Sequence, residues 1–360
     1  MARNYRLDGD ATVFNTALHH GARPCHPEAP DDTTSGDDMP IPRRLALALA
    51  ATLLSGSALA QSWPAKPIRL IVPFPPGGGT DIIARETAQH VAKATGWTFV
   101  IENKPGAGGN LGVDAVAKSP ADGYTLVLGQ TSNVAINPTL YPRLPYDPLK
   151  DLAPIGLVAR APLVLVTGIA QPYKSWADVA TAAKARPGAI NYATSGNGTV
   201  AHLTGELLQK ASSTRLQHVP YKGAAQALTD VISGNVDLYL SSVPTLLPQI
   251  RQGKLRALAV TSARRVDDLP QVPTVVESGH AGFDAVTWFG LLAPAGTPKE
   301  AITRLNAEFN KALATPELRK RLDDEGASAV TSTPEQFGAL IREDIPRWGK
   351  VVKESGARVD

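Results

Sequence analysis

Three loops in this sequence carry residue types suited to holding an anion. The first, Phe74-Pro75-Pro76-Gly77-Gly78-Gly79-Thr80-Asp81, follows an apolar run and opens a segment of helical spacing. Glycines let a ligand approach the backbone, and a helix start offers unpaired N–H groups with partial positive charge. A plain turn capped by Thr80 is the competing reading, but three consecutive glycines exceed what a turn requires. The second loop is Gly129-Gln130-Thr131-Ser132-Asn133. The third, Ser195-Gly196-Asn197-Gly198-Thr199, opens a helix with His202 in its first turn. Their hydroxyl and amide groups can hydrogen-bond carboxylate oxygens without supplying a full charge. Asp81, in a first helical turn, is most simply a partner of the helix dipole. Turned into a cleft it would repel a carboxylate and favour a ligand with an ammonium group.

Catalytic patterns fit less well. The chain has no G-x-x-x-x-G-K-[ST] phosphate loop, no G-x-S-x-G elbow and no H-E-x-x-H helix. Gly106-Ala107-Gly108-Gly109-Asn110-Leu111-Gly112 follows an apolar run as a dinucleotide fingerprint would. Its third glycine is one place late, however, and no acidic residue ends the next strand near Leu128. Ser195 and His202 can be drawn as nucleophile and base of a secreted hydrolase, but neither has an evident third partner. His90 and His218 are isolated, so no metal and no cofactor is expected.

The elements that must position these loops follow from periodicity. Ile68–Phe74, Phe99–Glu102 and Tyr124–Leu128 read as strands, and Thr80–Ala94 and Asn110–Lys118 as helices. A proline-rich passage from Asn137 to Pro154 reads as a connection. The rhythm then restarts with strands at Leu163–Val166, Ile190–Ala193, Val236–Leu240 and Leu255–Val260. Helices are expected at Trp176–Ala185, Val200–Ala211, Pro298–Ala314, Glu317–Asp324 and Pro334–Glu354. Such alternation gives an α/β fold of mostly parallel sheets with flanking helices. Two such units joined by more than one crossing leave a cleft between lobes, with ligands expected beyond the strands' carboxyl ends.

The 360 residues suffice for two domains, and a formal charge of +3 without a basic cluster gives no reason to expect nucleic acid. Residues 39–61 run from Arg43-Arg44 through an apolar stretch, Leu45 to Leu54, to Ala58-Leu59-Ala60. That is the three-part pattern of a secretory signal peptide, with cleavage expected after Ala60 and a periplasmic mature chain from Gln61. The acidic, polar residues 1–38 suit no such signal, so they are expected to be a spurious or unstructured extension, with translation starting at Met39. The single cysteine, Cys25, precedes the cleavage point, which leaves the mature chain without disulfide or thiolate chemistry.

Beyond these readings, an ordered series of motifs resembles the substrate-binding proteins of tripartite tricarboxylate transporters, the Bug family. It comprises Trp63-Pro64, Pro67 through Asp81, Glu102-Asn103-Lys104-Pro105-Gly106-Ala107-Gly108-Gly109, Pro120-Ala121-Asp122-Gly123-Tyr124 and Ser195-Gly196-Asn197-Gly198. Pro220-Tyr221-Lys222-Gly223, Gly253 through Val260 and Pro294-Ala295-Gly296-Thr297-Pro298 complete it. The series covers essentially the whole mature chain.

The resemblance implies a two-lobed periplasmic binding fold of the type II kind, with residues 61–162 and 289–360 in lobe 1 and 163–288 in lobe 2. It implies a monomer that captures a small carboxylate (a di- or tricarboxylate, an acidic amino acid or an aromatic acid) and delivers it to a membrane permease of one large and one small subunit. A binding protein used for sensing would look the same. Carried over by position, the pocket uses Phe74, Gly78, Gly79, Thr80 and Asp81 from the first loop and Thr131 and Ser132 from the second. From the third come Ser195, Asn197, Gly198, Thr199 and His202. Pro162 and Val286–Trp288 are hinge candidates, and Trp288, Phe74 and Tyr221 either line the pocket or pack in the core. Ser241 stands where relatives often carry an acidic residue.

Overall fold

The structure, a computed structural model, describes residues 63–359. The expected extension, Met39 start, signal peptide and Cys25 lie outside the described residues. Strand β1 (Ile68–Val72) runs between β2 (Phe99–Asn103) and β3 (Thr125–Gln130), parallel to both. Helices α1 (Gly79–Thr95) and α2 (Asn110–Ala117) make the crossovers. Both faces of β1 are covered, as a parallel strand requires. Ile68, Leu70 and Val72 meet Ile83, Ala84 and Val91 of α1, while Ile71 joins a separate cluster on the opposite face. Along α1 the buried stripe includes Ile83, Thr87 and Val91, and Ala94 is exposed.

The second half repeats the plan. Strand β5 (Asn191–Thr194) lies between β6 (Gln217–Pro220) and β7 (Leu238–Ser242), again parallel. Helices α5 (Val200–Ser212), α6 (Ala224–Ile232) and α7 (Val243–Arg251) follow these three strands in order. Strand β8 (Leu255–Val260) completes this half, and helix α4 (Trp176–Ala185) starts in a capping box made by Ser175 and Asp178.

The two halves are joined by one long strand. β4 (Leu152–Gly168) spans 17 residues, well beyond the usual five or six. From Leu152 to Pro162 it pairs antiparallel with β9 (Val286–Pro294); from Leu163 onward it pairs with β7 and β8. The change of partner falls between Pro162 and Leu163. β9 in turn pairs antiparallel with β3, so each half adds antiparallel strands to its three parallel ones.

Only Leu163–Val166 of β4 was expected from the sequence, because Pro154 and Pro162 argue against a strand. Both prolines are accommodated: Pro154 sits at a register shift, and Pro162 is the last residue paired with β9. The passage read as a connection instead holds the short helix α3 (Asn137–Leu140) and the start of β4, and a π-helical turn at Ser132–Ile136 precedes it. Strands β6 and β9 and helices α6 and α7 were likewise not foreseen.

The C-terminal part is helical, with α8 (Lys299–Ala314), α9 (Pro316–Asp324) and α10 (Pro334–Ser355), and a two-residue strand, β10 (Ser328–Ala329), against β4. Phe337, Ile341, Trp348 and Val352 of α10 enter the cluster that also holds Leu203 and Leu208 of α5. This last helix therefore packs on both halves. No described helix is long and apolar enough to cross a membrane.

Candidate ligand-binding cleft

Four helices aim their N-termini at one cavity, and the N-cap residue of each lines it: Gly78 for α1, Thr199 for α5, Gly223 for α6 and Ser242 for α7. Gly79, Thr80, Val200, Ala201, Ala224 and Thr245, from the first turns, line it as well. Leu163, Thr287 and Phe289 of the crossing strands, with Gln130 and Ser241 at strand ends, close the back. The cavity leaves about 60 Å³ for the centres of water-sized molecules. That is room for roughly four to six waters, or a carboxylate and a short stem.

No charged side chain lines this space, while hydroxyls from both halves do. The first-turn N–H groups of α1, α6 and α7 receive no side-chain cap from their own N-cap residue. Uncapped helix starts carry orphan donors and about half a positive charge each. Their convergence gives the cavity a partial positive charge without a cation. The exception is α5, where Thr199 Oγ1 accepts the His202 N–H at 3.3 Å.

The halves touch across the cleft. Gly79 donates its N–H to Thr245 Oγ1 at 3.1 Å, and a Cβ at position 79 would stand 2.7 Å from Ser242 Oγ. A side chain at this position would have to push the Ser242 hydroxyl aside.

The first loop is held from behind by Asp81. Its carboxylate accepts from the Gly77 N–H at 3.0 Å, from Arg85 Nε at 3.0 Å and from Asn103 Nδ2 at 2.9 Å. Asn103 Nδ2 also donates to the Phe74 carbonyl at 3.0 Å. Burial pushes the Asp81 carboxyl up, but the hydrogen bonds from Arg85, Asn103 and Gly77 outweigh it and hold it below the usual range. Asp81 is buried and is not among the lining residues, so it shapes the loop from outside the cavity.

The third loop is held by a histidine. His202 Nδ1 accepts the Gly198 N–H at 3.2 Å, and its ring stacks on His218 with centroids 4.1 Å apart. His218 Nε2 meets Thr194 Oγ1 at 2.7 Å and its ring lies against Tyr192, whose hydroxyl donates to Glu206. Burial lowers His202 to about 4; burial and the neighbouring His202 lower His218 to about 3. Both rings are therefore neutral near pH 7. Gly198 takes a positive φ, and a Cβ there would overlap Leu140, so the loop's tight course depends on it.

Of the residues singled out from the sequence, Phe74, Gly78, Gly79, Thr80, Ser195 and Thr199 line the cavity together. Thr131, Ser132, Gly198 and His202 do not, and Asn197 lines a neighbouring chamber. The π-helical turn carries Thr131 and Ser132 inward; Thr131 Oγ1 accepts the Trp288 N–H at 3.0 Å. β3 runs on to Gln130, which takes the place at the cleft. Trp288 is core: its Nε1 donates to buried Asp344 at 2.6 Å and its ring meets Phe337 edge-on. Tyr221 lines the neighbouring chamber, and Ser241 lines the cavity with no acidic residue in its place.

Sequence reasoning missed Gln130, Gly223, Ser242, Thr245 and the crossing strands. A signal existed for Ser242: a serine two residues before Pro244 is the usual start of a helix. Among the described residues no group of three or more His, Cys, Asp and Glu is placed to hold a metal ion.

Known proteins are similar to this chain in sequence and in fold. Residues 83–357 match the tripartite tricarboxylate transporter family receptor. The chain is 40% identical over 312 residues to protein BugT of Bordetella pertussis, covering 86% of this chain and 96% of that one. A solved Rhodopseudomonas palustris protein with adipate is 36% identical, with a TM-score of 0.80 over 82% of this chain and all of its own. The periplasmic binding protein BugD gives 35% identity and a TM-score of 0.78, covering 82% of this chain and 99% of BugD. A second R. palustris protein, MatC, solved with malate, gives 33% and 0.76, over 81% of this chain and 100% of MatC. The fold is that of the two-lobed periplasmic binding proteins, with its cleft between the lobes, and the family serves transport as solute-binding receptors. The chain belongs to the tripartite tricarboxylate transporter receptors, the Bug family.

Proposed function

We propose that this receptor captures a small carboxylate in the periplasm and presents it to a membrane permease of one large and one small subunit. The observation that carries the reading is the convergence of four helix N-termini on a hydroxyl-lined cavity without a charged side chain. Oriented N–H groups in a water-poor cleft stabilise a carboxylate as charge-assisted hydrogen bonds do. Relatives solved with adipate and malate support the same ligand chemistry. The binding residues are then Phe74, Gly78, Gly79, Thr80, Ser195 and Thr199, joined by Gln130, Gly223, Ser242 and Thr245. Asp81, Gly198 and His202 hold the loops from behind.

Residues 61–162 and 289–360 form one lobe in this reading and 163–288 the other, with the hinge at the Pro162/Leu163 change of strand partner. The protein reaches the periplasm by cleavage after Ala60 and works there as a monomer. Hydrolysis by Ser195 and His202 is disfavoured, because His202 Nδ1 is taken by the Gly198 N–H and its ring is packed under the loop.

The test is a thermal-shift screen of protein unfolded and refolded to remove carried-over ligand. A carboxylate at about a hundred times its Kd adds roughly 2.7 kcal/mol. A shift with a carboxylate and none with its amide is the expected result. No shift across mono-, di- and tricarboxylates, with refolding verified, overturns the reading.

A further inference from the structure

A second chamber adjoins the carboxylate cavity, and it accounts for the Gly106-Ala107-Gly108-Gly109 motif that the binding reading leaves unused. Phe74, Pro75, Ser195 and Thr199 line both spaces, so the chambers share a rim. On the same measure the outer one is far larger, about 500 Å³ against about 60 Å³. One wall is the loop Pro105–Gly109, another Tyr141, and a third the pair Tyr221 and Lys222.

The glycines fit this wall. Gly106, Gly108 and Gly109 all take positive φ. A Cβ on Gly108 would stand 2.8 Å from the Tyr141 hydroxyl, and one on Gly109 would stand 3.2 Å from the Phe74 ring. Their absence of side chain lets the phenol and the ring come up to the loop. The two tyrosines differ in what they offer. The Tyr221 hydroxyl is committed to Asp230 at 2.6 Å, leaving its ring as wall. Tyr141 is half-buried, and no hydrogen bond to its hydroxyl occurs among the described residues. Lys222 is the one charged side chain on the lining, and it has no carboxylate within 4.0 Å among the described residues.

We infer that the outer chamber is a second recognition subsite, for the distal acidic group of an elongated ligand whose first carboxylate occupies the inner cavity. Lys222 determines specificity there and the Tyr141 phenol assists it. This rests on the carboxylate reading above. The inner cavity has room for one acid group and a short stem, so a longer ligand must extend past the Phe74–Ser195 rim. The first cation it meets is Lys222. The inner site ranks no acid by its charge, whereas the outer one separates a diacid from the monoacid of equal length.

Calorimetry with adipate and hexanoate, two six-carbon acids that differ by one carboxylate, tests this on the refolded full chain. Lys222 is exposed, so wild type is expected to bind adipate about two- to fivefold more tightly, the range of an exposed ion pair. Lys222→Met is expected to abolish that preference with hexanoate affinity unchanged, and Lys222→Arg to retain most of it. Equal binding of the two acids by wild type, or equal losses of both in Lys222→Met, overturns the subsite and leaves the carboxylate reading standing. Binding of neither acid overturns the subsite, and the wider carboxylate screen above then decides the reading beneath it.

Discussion

Acidification tests how the third loop is built. His202 and His218 are buried and stacked, with values near 4 and 3 against about 6.5 in an unfolded chain. The folded state therefore favours the neutral rings. Above about pH 7 both states are unprotonated at these sites, and the full stability is present. As pH falls below 6.5 the unfolded chain takes up protons that the folded one refuses, and stability declines by about 1.4 kcal/mol per pH unit per histidine. The decline ends for each ring as pH drops through its folded value. At pH 5 the loss is about 2 kcal/mol for each ring and about 4 kcal/mol for the pair. At roughly 2 °C per kcal/mol this lowers Tm by about 8 °C. Carboxyl groups titrate in the same range, so the assay compares wild type with His218→Phe, which keeps an aromatic ring between His202 and Tyr192. Urea unfolding from pH 8 to pH 5 should show the pH-dependent loss reduced by about half in the variant. Parallel curves for the two proteins would refute the reasoning, as would imidazole titrations near pH 6 in the folded state.

Other expectations follow from single contacts. Gly79→Ala places a methyl against Ser242 Oγ across the cleft, so carboxylate affinity should fall at least tenfold by calorimetry, with the unliganded Tm little changed because the halves can part. Asp81→Asn leaves amide hydrogens facing the donors of Arg85 and Asn103; a loss of about 1–3 kcal/mol in urea unfolding is expected, with weaker ligand binding as the Gly77 turn loosens. Ser195→Ala should cost about 0.5–3 kcal/mol of binding free energy, with no ester or amide turnover before or after substitution.

The sequence made the strand–helix alternation legible wherever apolar runs were bounded by glycine or proline, and α4 and β8 fall where periodicity puts them. It did not reveal β4 and β9, because a strand shared by two sheets obeys neither sheet's pattern. Pro154 and Pro162 contradict strand formation locally, and only pairing with β9 makes them tolerable. The candidate site was legible in the same measure. Glycine-rich strand-to-helix loops announce backbone donors, which identified Gly78, Gly79 and Thr199. Thr131 and Gln130 exchanged roles because a π-helical turn rotates the chain after β3, and nothing in Gly129–Asn133 encodes that rotation by itself. His202, expected in the pocket, sits instead under the third loop; its partner His218, sixteen residues away, comes near only through the pairing of β5 with β6.

The absence of a cation from the inner cavity bears on release as much as on capture. A partly buried helix terminus contributes up to about 2 kcal/mol toward an anion, so four give about 8 kcal/mol at most. Moving a two-state equilibrium from mostly open to mostly closed takes about 5.5 kcal/mol of differential binding. The N-termini of α5, α6 and α7 lie on one half and can hold a carboxylate in the open cleft as well, so α1 alone supplies the differential, about 2 kcal/mol or a shift of about thirtyfold toward the closed state. The contacts are made from both sides only when the cleft is shut, since α1 stands alone on its half. A buried Arg or Lys would add several kcal/mol to the bound state, and its desolvated charge would oppose departure of the anion. A site of oriented dipoles loses the hold of α1 as soon as that helix swings away, and with it the reason to remain closed. Such a site gives up its anion when the lobes part.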